Sequence, residues 1–283
     1  MLQLVLKKSL FVAVLHLCFP LIFSYQFAHA ADFNFDNIDQ SDLKKIIGDF
    51  SGNFTHTNVS GAGSLGKLFG FELGLGGGAS TTPGINSLVK ETDPNASEGA
   101  LIHGGLLAQV SVPFGLSVEA SLIPSTGGDD LKISNTGIGI KWTMTDAVFN
   151  LPFHLALKAS ATKTTLDFAT IVNNASTGNL PVDSKMEFSS SSTALSLIAS
   201  KDLLIFEPYF GLGMVQSSGD LAITGAGNVF DTTLTASQSA SAKTSGVTYF
   251  VGSELKLIFL KLGVEYSKVI DVTRVTGKLA LYF

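Results

Sequence analysis

The chain has 283 residues, a formal charge of −5 at pH 7 and a mean hydropathy of +0.36, with 29 glycines and a single cysteine. The acidic balance gives no electrostatic case for a nucleic-acid partner. One cysteine supports neither an intrachain disulfide framework nor a thiolate metal set.

Residues 1–30 carry Lys7 and Lys8, an apolar run over 9–23, and the small-residue ending Ala28-His29-Ala30. These are the three parts of a cleaved secretory signal. The run falls short of the about 20 apolar residues a membrane helix needs, and the polar Ala31-Asp32-Phe33-Asn34 that follows favours cleavage, so the mature chain is expected to begin at Ala31. Cleavage removes Cys18 and takes the charge from −5 to −7, because two lysines and no acids leave. A thiol-free mature chain suits an oxidising periplasm.

Within 31–66, Ser41 can cap a short amphipathic helix in which Leu43, Ile46, Ile47 and Phe50 recur at i, i+3, i+4 and i+7. Residues 52–66 are rich in Ser, Thr, Asn and Gly and read as a loose linker. Gly61-Ala62-Gly63-Ser64-Leu65-Gly66 matches a dinucleotide fingerprint in letters only, since an alternating strand follows it where a helix is required.

Ten segments then alternate with period 2, as strands do when one face meets lipid and the other a lumen. The first sets Phe69, Phe71, Leu73 and Leu75 against Gly70, Glu72, Gly74 and Gly76. The second covers about 101–112 and turns through Pro113-Phe114-Gly115 into the third, 116–125. The fourth, 132–144, shows Ile138, Ile140 and Trp142 outward; the fifth, 152–168, shows Phe153, Leu155 and Leu157. The sixth, 184–199, is apolar only in its second half, at Leu195 and Leu197. The seventh, from about 204, shows Phe206, Phe210, Leu212 and Met214, with Pro208 an obstacle that would start the strand after it. The eighth and ninth are 243–257 and 260–268. The last ends the chain with Val275, Gly277, Leu279, Leu281 and Phe283 on one parity.

After residue 30 no stretch of 18 apolar residues remains. A membrane chain without membrane helices has a closed barrel as its other option, because every backbone N–H and C=O in lipid must be paired inside the protein. The terminal strand, with Leu279, Leu281 and Phe283, resembles the closing strand of the Gram-negative outer-membrane β-barrel superfamily. That resemblance implies recognition by periplasmic chaperones and the barrel-assembly machinery, and contact with outer-membrane lipid and lipopolysaccharide. The expected fold is therefore all-β: a transmembrane antiparallel up-and-down barrel of about 10 strands over 67–283, preceded by the helix and linker of 31–66. The tight connections 113–115, 200–203 and 257–259 would be periplasmic. The polar stretches 81–99, 126–131, 171–183 and 219–240 would be outer loops.

On the inward parity, Glu72, Glu119, Lys141, Lys158, Glu207, Glu254, Lys261, Glu265 and Lys278 form a mixed-sign ring near the predicted periplasmic end, unlike the single-sign ring of a strongly selective pore. A turn at Leu257-Ile258 would set Glu254 directly opposite Lys261. The helix stripe needs a cover, and the lower mouth of the barrel, where Lys44, Lys45 and Asp49 could meet the ring, is the nearest one. Pairing by i + j = 228 about the first turn brings Gln109 to Glu119 and His103 to Ser125, with Asn135 and Asp129 or Asp130 nearby. That is a Ser–His–acid possibility without any motif to support it, so the chain is not expected to be an enzyme, and no cofactor or metal is expected. Three functions are left open. The first is a narrow channel or transporter for small or hydrophobic solutes gated by the helix, a layout similar to the long-chain fatty-acid transporter family, whose barrels are much longer. The others are a closed structural or adhesive barrel and a rim-sited lipid hydrolase.

Overall fold

The computed structural model describes residues 40–283 except 67, 93, 96–98, 128–130, 149–150, 175–179, 225–226, 230–231 and 235–237. The expected signal peptide and its cleavage site lie outside the described residues. Helix α1 (Gln40–Phe54) comes first, and the strands are β1 (Gly70–Thr81), β2 (Ala100–Val112), β3 (Leu116–Gly127), β4 (Leu131–Thr143), β5 (His154–Asn174), β6 (Leu180–Ser200) and β7 (Phe206–Thr224). After the short pair β8 (Gly227–Val229) and β9 (Thr232–Leu234) come β10 (Gln238–Lys256), β11 (Leu260–Val269) and β12 (Val272–Tyr282). Two further helices sit in connections, α2 (Pro83–Thr92) after β1 and α3 (Met144–Ala147) after β4. Ten strands close into an antiparallel up-and-down barrel, with β12 sealing against β1 through Leu73↔Leu281, Leu75↔Leu279 and a reciprocal Phe71–Phe283 backbone pair, 2.9 Å each way.

Period-2 alternation sets the side-chain directions. Val118, Ile138, Ile140, Phe210, Leu212, Met214, Val251 and Val264 are exposed on the outside, while the inward Glu119, Lys141, Glu207 and Glu254 are buried. On β7 and β10 this apolar-out, polar-in order holds for about nine residues, 206–214 and 247–255, the height of a membrane band. Beyond it the long strands invert. On β5 the outward residues become Lys163 and Thr165 while Leu166 turns in; on β6 Glu187 and Ser191 face out and Phe188 in; on β7 Gln216 and Asp220 face out and Leu221 in.

This inversion explains a difference from the sequence expectation. The stretches 171–183 and 219–240 are mostly strand, because β5 and β6 stay paired out to Asn174↔Leu180 and β7 and β10 out to Ile223↔Gln238. The outward Lys163, Glu187, Ser191, Gln216 and Asp220 are already exposed polar residues, so an apolar-out pattern stops where the strand does not. The seventh strand likewise begins at Phe206, ahead of Pro208. The Pro208 carbonyl accepts from Lys201 N at 3.2 Å, so its missing N–H points past the last β6–β7 pair, Ser200↔Tyr209, and costs the sheet nothing.

The inverted zone is the hydrophobic core. Leu43, Ile47, Phe50 and Phe54 of α1 pack against Leu166, Phe188, Leu221 and Ala242, with Phe50 and Phe188 ring centroids 5.0 Å apart. Burying such side chains stabilises the helix by roughly 1.5–3 kcal/mol each. Gly219 makes room: a Cβ there would lie 2.7 Å from Ile47 Cγ1. The helix therefore sits in the end of the barrel that bears the long connections, under α2, not at the short-turn mouth where the sequence reading placed it. The lower lumen is charged and cannot cover an apolar stripe, whereas the inverted zone can.

Candidate functional site

From Phe54 the chain runs down through the lumen as a strap, residues 55–66, and joins β1 at the short-turn end. The wall grips it throughout. Arg274 donates to the Asn53 and Thr55 carbonyls (3.2 and 2.8 Å), Thr162 Oγ accepts from His56 N (3.0 Å), and Asn58 donates to Gln109 (2.6 Å). Lower down, Gly61 N donates to Glu254 (3.1 Å), Ala62 N to Ser200 (2.9 Å) and Gly63 N to Glu207 (3.3 Å). In return Lys141 donates to the Gly61 and Gly63 carbonyls (2.9 and 3.2 Å) and Thr143 to that of Ala62 (2.6 Å). At Gly61 a Cβ would fall 2.1 Å from Glu207 Oε1, so a larger residue there must displace that carboxylate. Val59, fully buried at φ 48°, is held in a region β-branched residues avoid, so the surroundings over-determine its conformation. The stretch read as a loose linker is thus bonded to the lumen wall along its length. Its short polar residues are the ones that fit there.

The ring residues come together around this strap. Lys278 donates to Glu72 (2.7 Å) and Glu254 (2.8 Å), Lys261 lies 2.9 Å from Glu72, and Lys158 lies 2.6 Å from Glu119. Glu207 is held by Lys256 at 2.6 Å, and Glu265 by Tyr209 (3.1 Å), Thr57 (3.0 Å) and more distantly Arg274 (3.9 Å). Glu254 and Lys261 are 3.8 Å apart and diagonal, not directly opposite. The turn tip is Ile258-Phe259, which pairs Glu254 with Gly263 and Lys256 with Lys261. Sequence reasoning missed Asp202, in the β6–β7 turn, which takes Lys256 (2.6 Å) and His154 (3.0 Å); the His154 hydrogen bond, and then Lys256, hold its carboxyl well below the usual range.

At the other end Asp49 of α1 accepts from Gly84 N (3.1 Å) and Ile85 N (2.7 Å), capping α2 from outside its own segment. Burial pushes the Asp49 carboxyl up to about 6 against those two hydrogen bonds.

The register i + j = 228 holds for Gln109↔Glu119 but stops at Leu106↔Leu122. His103 instead pairs with Gly78 of β1, its Nε2 lying 3.0 Å from Thr276 Oγ, and Asn135 donates to Phe54 O and Thr164. No His103–Ser125–Asn135 set forms, because β3 bulges between Ile123 and Thr126; Asp129 and Asp130 lie outside the described residues. A different histidine does meet a serine and an acid. His56 of the strap has Nδ1 2.8 Å from Ser121 Oγ and Nε2 3.2 Å from Glu119. No local signal marks this set, since His56 is 63 residues from Glu119 and lies in the stretch read as a linker. Beside the strap lie cavities of about 30 and 60 Å³, each room for a few waters.

A family model described as a family of unknown function (DUF6588) matches residues 86–271. No curated protein matches the chain. Among solved structures it is similar to the translocator domain of the autotransporter NalP from Neisseria meningitidis (9% identity, 77% of this chain and 88% of that one, TM-score 0.44). It is also similar to the attachment invasion locus protein Ail of Yersinia pestis (12%, 75% and 99%, 0.32) and the toluene transporter TbuX of Ralstonia pickettii (8%, 88% and 99%, 0.34).

Proposed function

The chain belongs to the family of unknown function DUF6588, and we propose that it is an exported outer-membrane barrel sealed across its lumen by its own N-terminal segment. In this reading the signal peptide is removed after Ala30. The short turns face the periplasm, and the inverted ends of β5, β6, β7 and β10 stand outside the cell as a surface module. The observation that carries it is the strap: backbone groups of Gly61, Ala62 and Gly63 are bonded to Glu254, Ser200, Glu207, Lys141 and Thr143 on several sides of the lumen. Sealing of this kind favours a structural or adhesive barrel over an open pore. The apolar outer belt supports the lipid and lipopolysaccharide contacts expected of such a barrel, and Leu279, Leu281 and Phe283 remain the proposed assembly signal.

A gated solute route is the second reading, favoured by the cavities beside the strap, with the strap and α1 (Leu43, Ile46, Ile47, Phe50) as the plug. Single-channel recording decides between them. The full chain should be silent, and Gly61→Leu, which drives a side chain into Glu207, should open it. Steady conductance by the unaltered protein would overturn the sealed-barrel reading.

A further inference from the structure

We propose that Ser121 is a nucleophile for acyl esters that reach it from the outer leaflet through a split between β2 and β3, with His56 as its base and Glu119 positioning the imidazole. The inference rests on the seated strap of the sealed-barrel reading, since His56 belongs to the strap.

The split is in the ladder. β2 and β3 share seven pairs, Leu106↔Leu122 to Val112↔Leu116, whereas β1 and β2 share twelve. Above Leu106, β2 stays with β1, while β3 follows β4 through its bulge. Pro124, which has no N–H to offer, lies in the unpaired stretch. Unpaired strand edges are costly in hydrocarbon, so this opening belongs at the upper margin of the apolar belt, where Ile102, Leu106 and Leu122 are exposed. Behind it lies the cavity of about 60 Å³, lined by Gly104, Gly105, Ser121, His56, His103 and Arg274 among others.

Burial is graded as nucleophilic chemistry needs. Ser121 is half-buried at the cavity, whereas the His56 and Glu119 side chains are fully enclosed. Glu119 and Ser121 both point inward as alternate residues of β3, and the imidazole spans them at 2.8 and 3.2 Å. Lys158 pairs with the same carboxylate oxygen at 2.6 Å. The cavity has room for the ester group alone, so the acyl chain stays along Ile102, Leu106 and Leu122, continuous with the lipid-facing belt. That continuity selects a membrane-borne ester over a soluble one.

In the first half-reaction Ser121 Oγ bonds to the ester carbon as its proton passes to His56 Nδ1. Glu119 faces the resulting imidazolium, and Arg274 supplies positive charge in the same cavity for the oxyanion. Collapse breaks the carbon–alkoxide bond, and the leaving alcohol takes the proton from His56. Water, activated by the same imidazole, then releases the acid and restores Ser121; the sum is ester plus water to acid plus alcohol.

The test is covalent labelling of the full-length, heat-modifiable barrel with a long-chain alkyl fluorophosphonate, the adduct located by mass spectrometry. The adduct is expected on Ser121. Its rate should fall at least about tenfold in His56→Ala. Glu119→Gln should alter the pH profile of labelling, which a purely structural carboxylate would leave in place. Folded wild-type protein without an adduct at Ser121 overturns the proposal, as does an adduct whose rate is unchanged in folded His56→Ala. Labelling of the wild-type protein needs no variant, so the presence or absence of the Ser121 adduct decides even if His56→Ala fails to fold. A conducting barrel would fail the sealed-lumen reading while leaving this readout separate.

Discussion

Replacing Lys278 by Met removes the ammonium from the centre of the ring while keeping most of the side-chain volume. Its Nζ donates to Glu72 at 2.7 Å and Glu254 at 2.8 Å, and all three side chains are buried. Hydrogen bonds to charged groups contribute about 1.5–3 kcal/mol each. Breaking a buried pair by removing one partner costs about 3–5 kcal/mol, because the carboxylates are left uncompensated. Lys261 remains near both, at 2.9 and 3.8 Å, and softens the loss towards the lower end, about 3 kcal/mol. Urea unfolding in lipid vesicles, followed by tryptophan fluorescence of Trp142, measures this directly. Adding Glu72→Gln to Lys278→Met should return part of the loss, since it deletes one stranded charge. A single-variant cost below about 1 kcal/mol would refute the reasoning, because only a solvated ring behaves that way.

The upper edge of the lipid band can be located on β7. Leu212→Arg should cost about 2–4 kcal/mol and Gln216→Arg, on the same face but above the belt, under about 1; equal costs in the same unfolding assay would remove the proposed boundary. Asp49 gives a pH dependence at the α1–α2 contact. Its folded carboxyl is raised to about 6 from 3.8, so the docked form binds the proton more tightly, and docking weakens as pH climbs between those values and levels off above. Amide protection factors at Gly84 and Ile85, corrected for intrinsic exchange, should fall over that window and become pH-independent in Asp49→Asn. For sidedness, a cysteine replacing Lys90 of α2 should react with an impermeant maleimide on whole cells and one replacing Lys201 should not; the reverse pattern would invert the barrel.

The barrel was legible in the sequence because parity is a local signal. Each outward run, such as Phe210, Leu212 and Met214, needs only its own alternation to be read, and the register near Pro113-Phe114-Gly115 follows from the turn. What failed were features set by partners distant in sequence. The ends of β5 and β6 looked like loops because Lys163, Glu187 and Ser191 face water while Leu166 and Phe188 face a helix over 100 residues earlier. The helix stripe of Leu43, Ile46, Ile47 and Phe50 was legible, but not its cover, which those inward residues supply. His103 failed as a site residue because the β2–β3 ladder ends early, and His56 was invisible because nothing local distinguishes a lumen strap from a linker.

A rod lying inside a hoop imposes an order on assembly. The β1–β12 seam joins stretches about two hundred residues apart, and α1 carries four bulky apolar side chains through the same enclosure. Drawing that helix through an already closed ring would drag Phe50 and Phe54 past Lys141, Glu119 and Arg274, so the sheet instead wraps around a segment already in place. The last seam to form is then also the step that traps the strap, and the rate of barrel closure and the seating of the seal become one event.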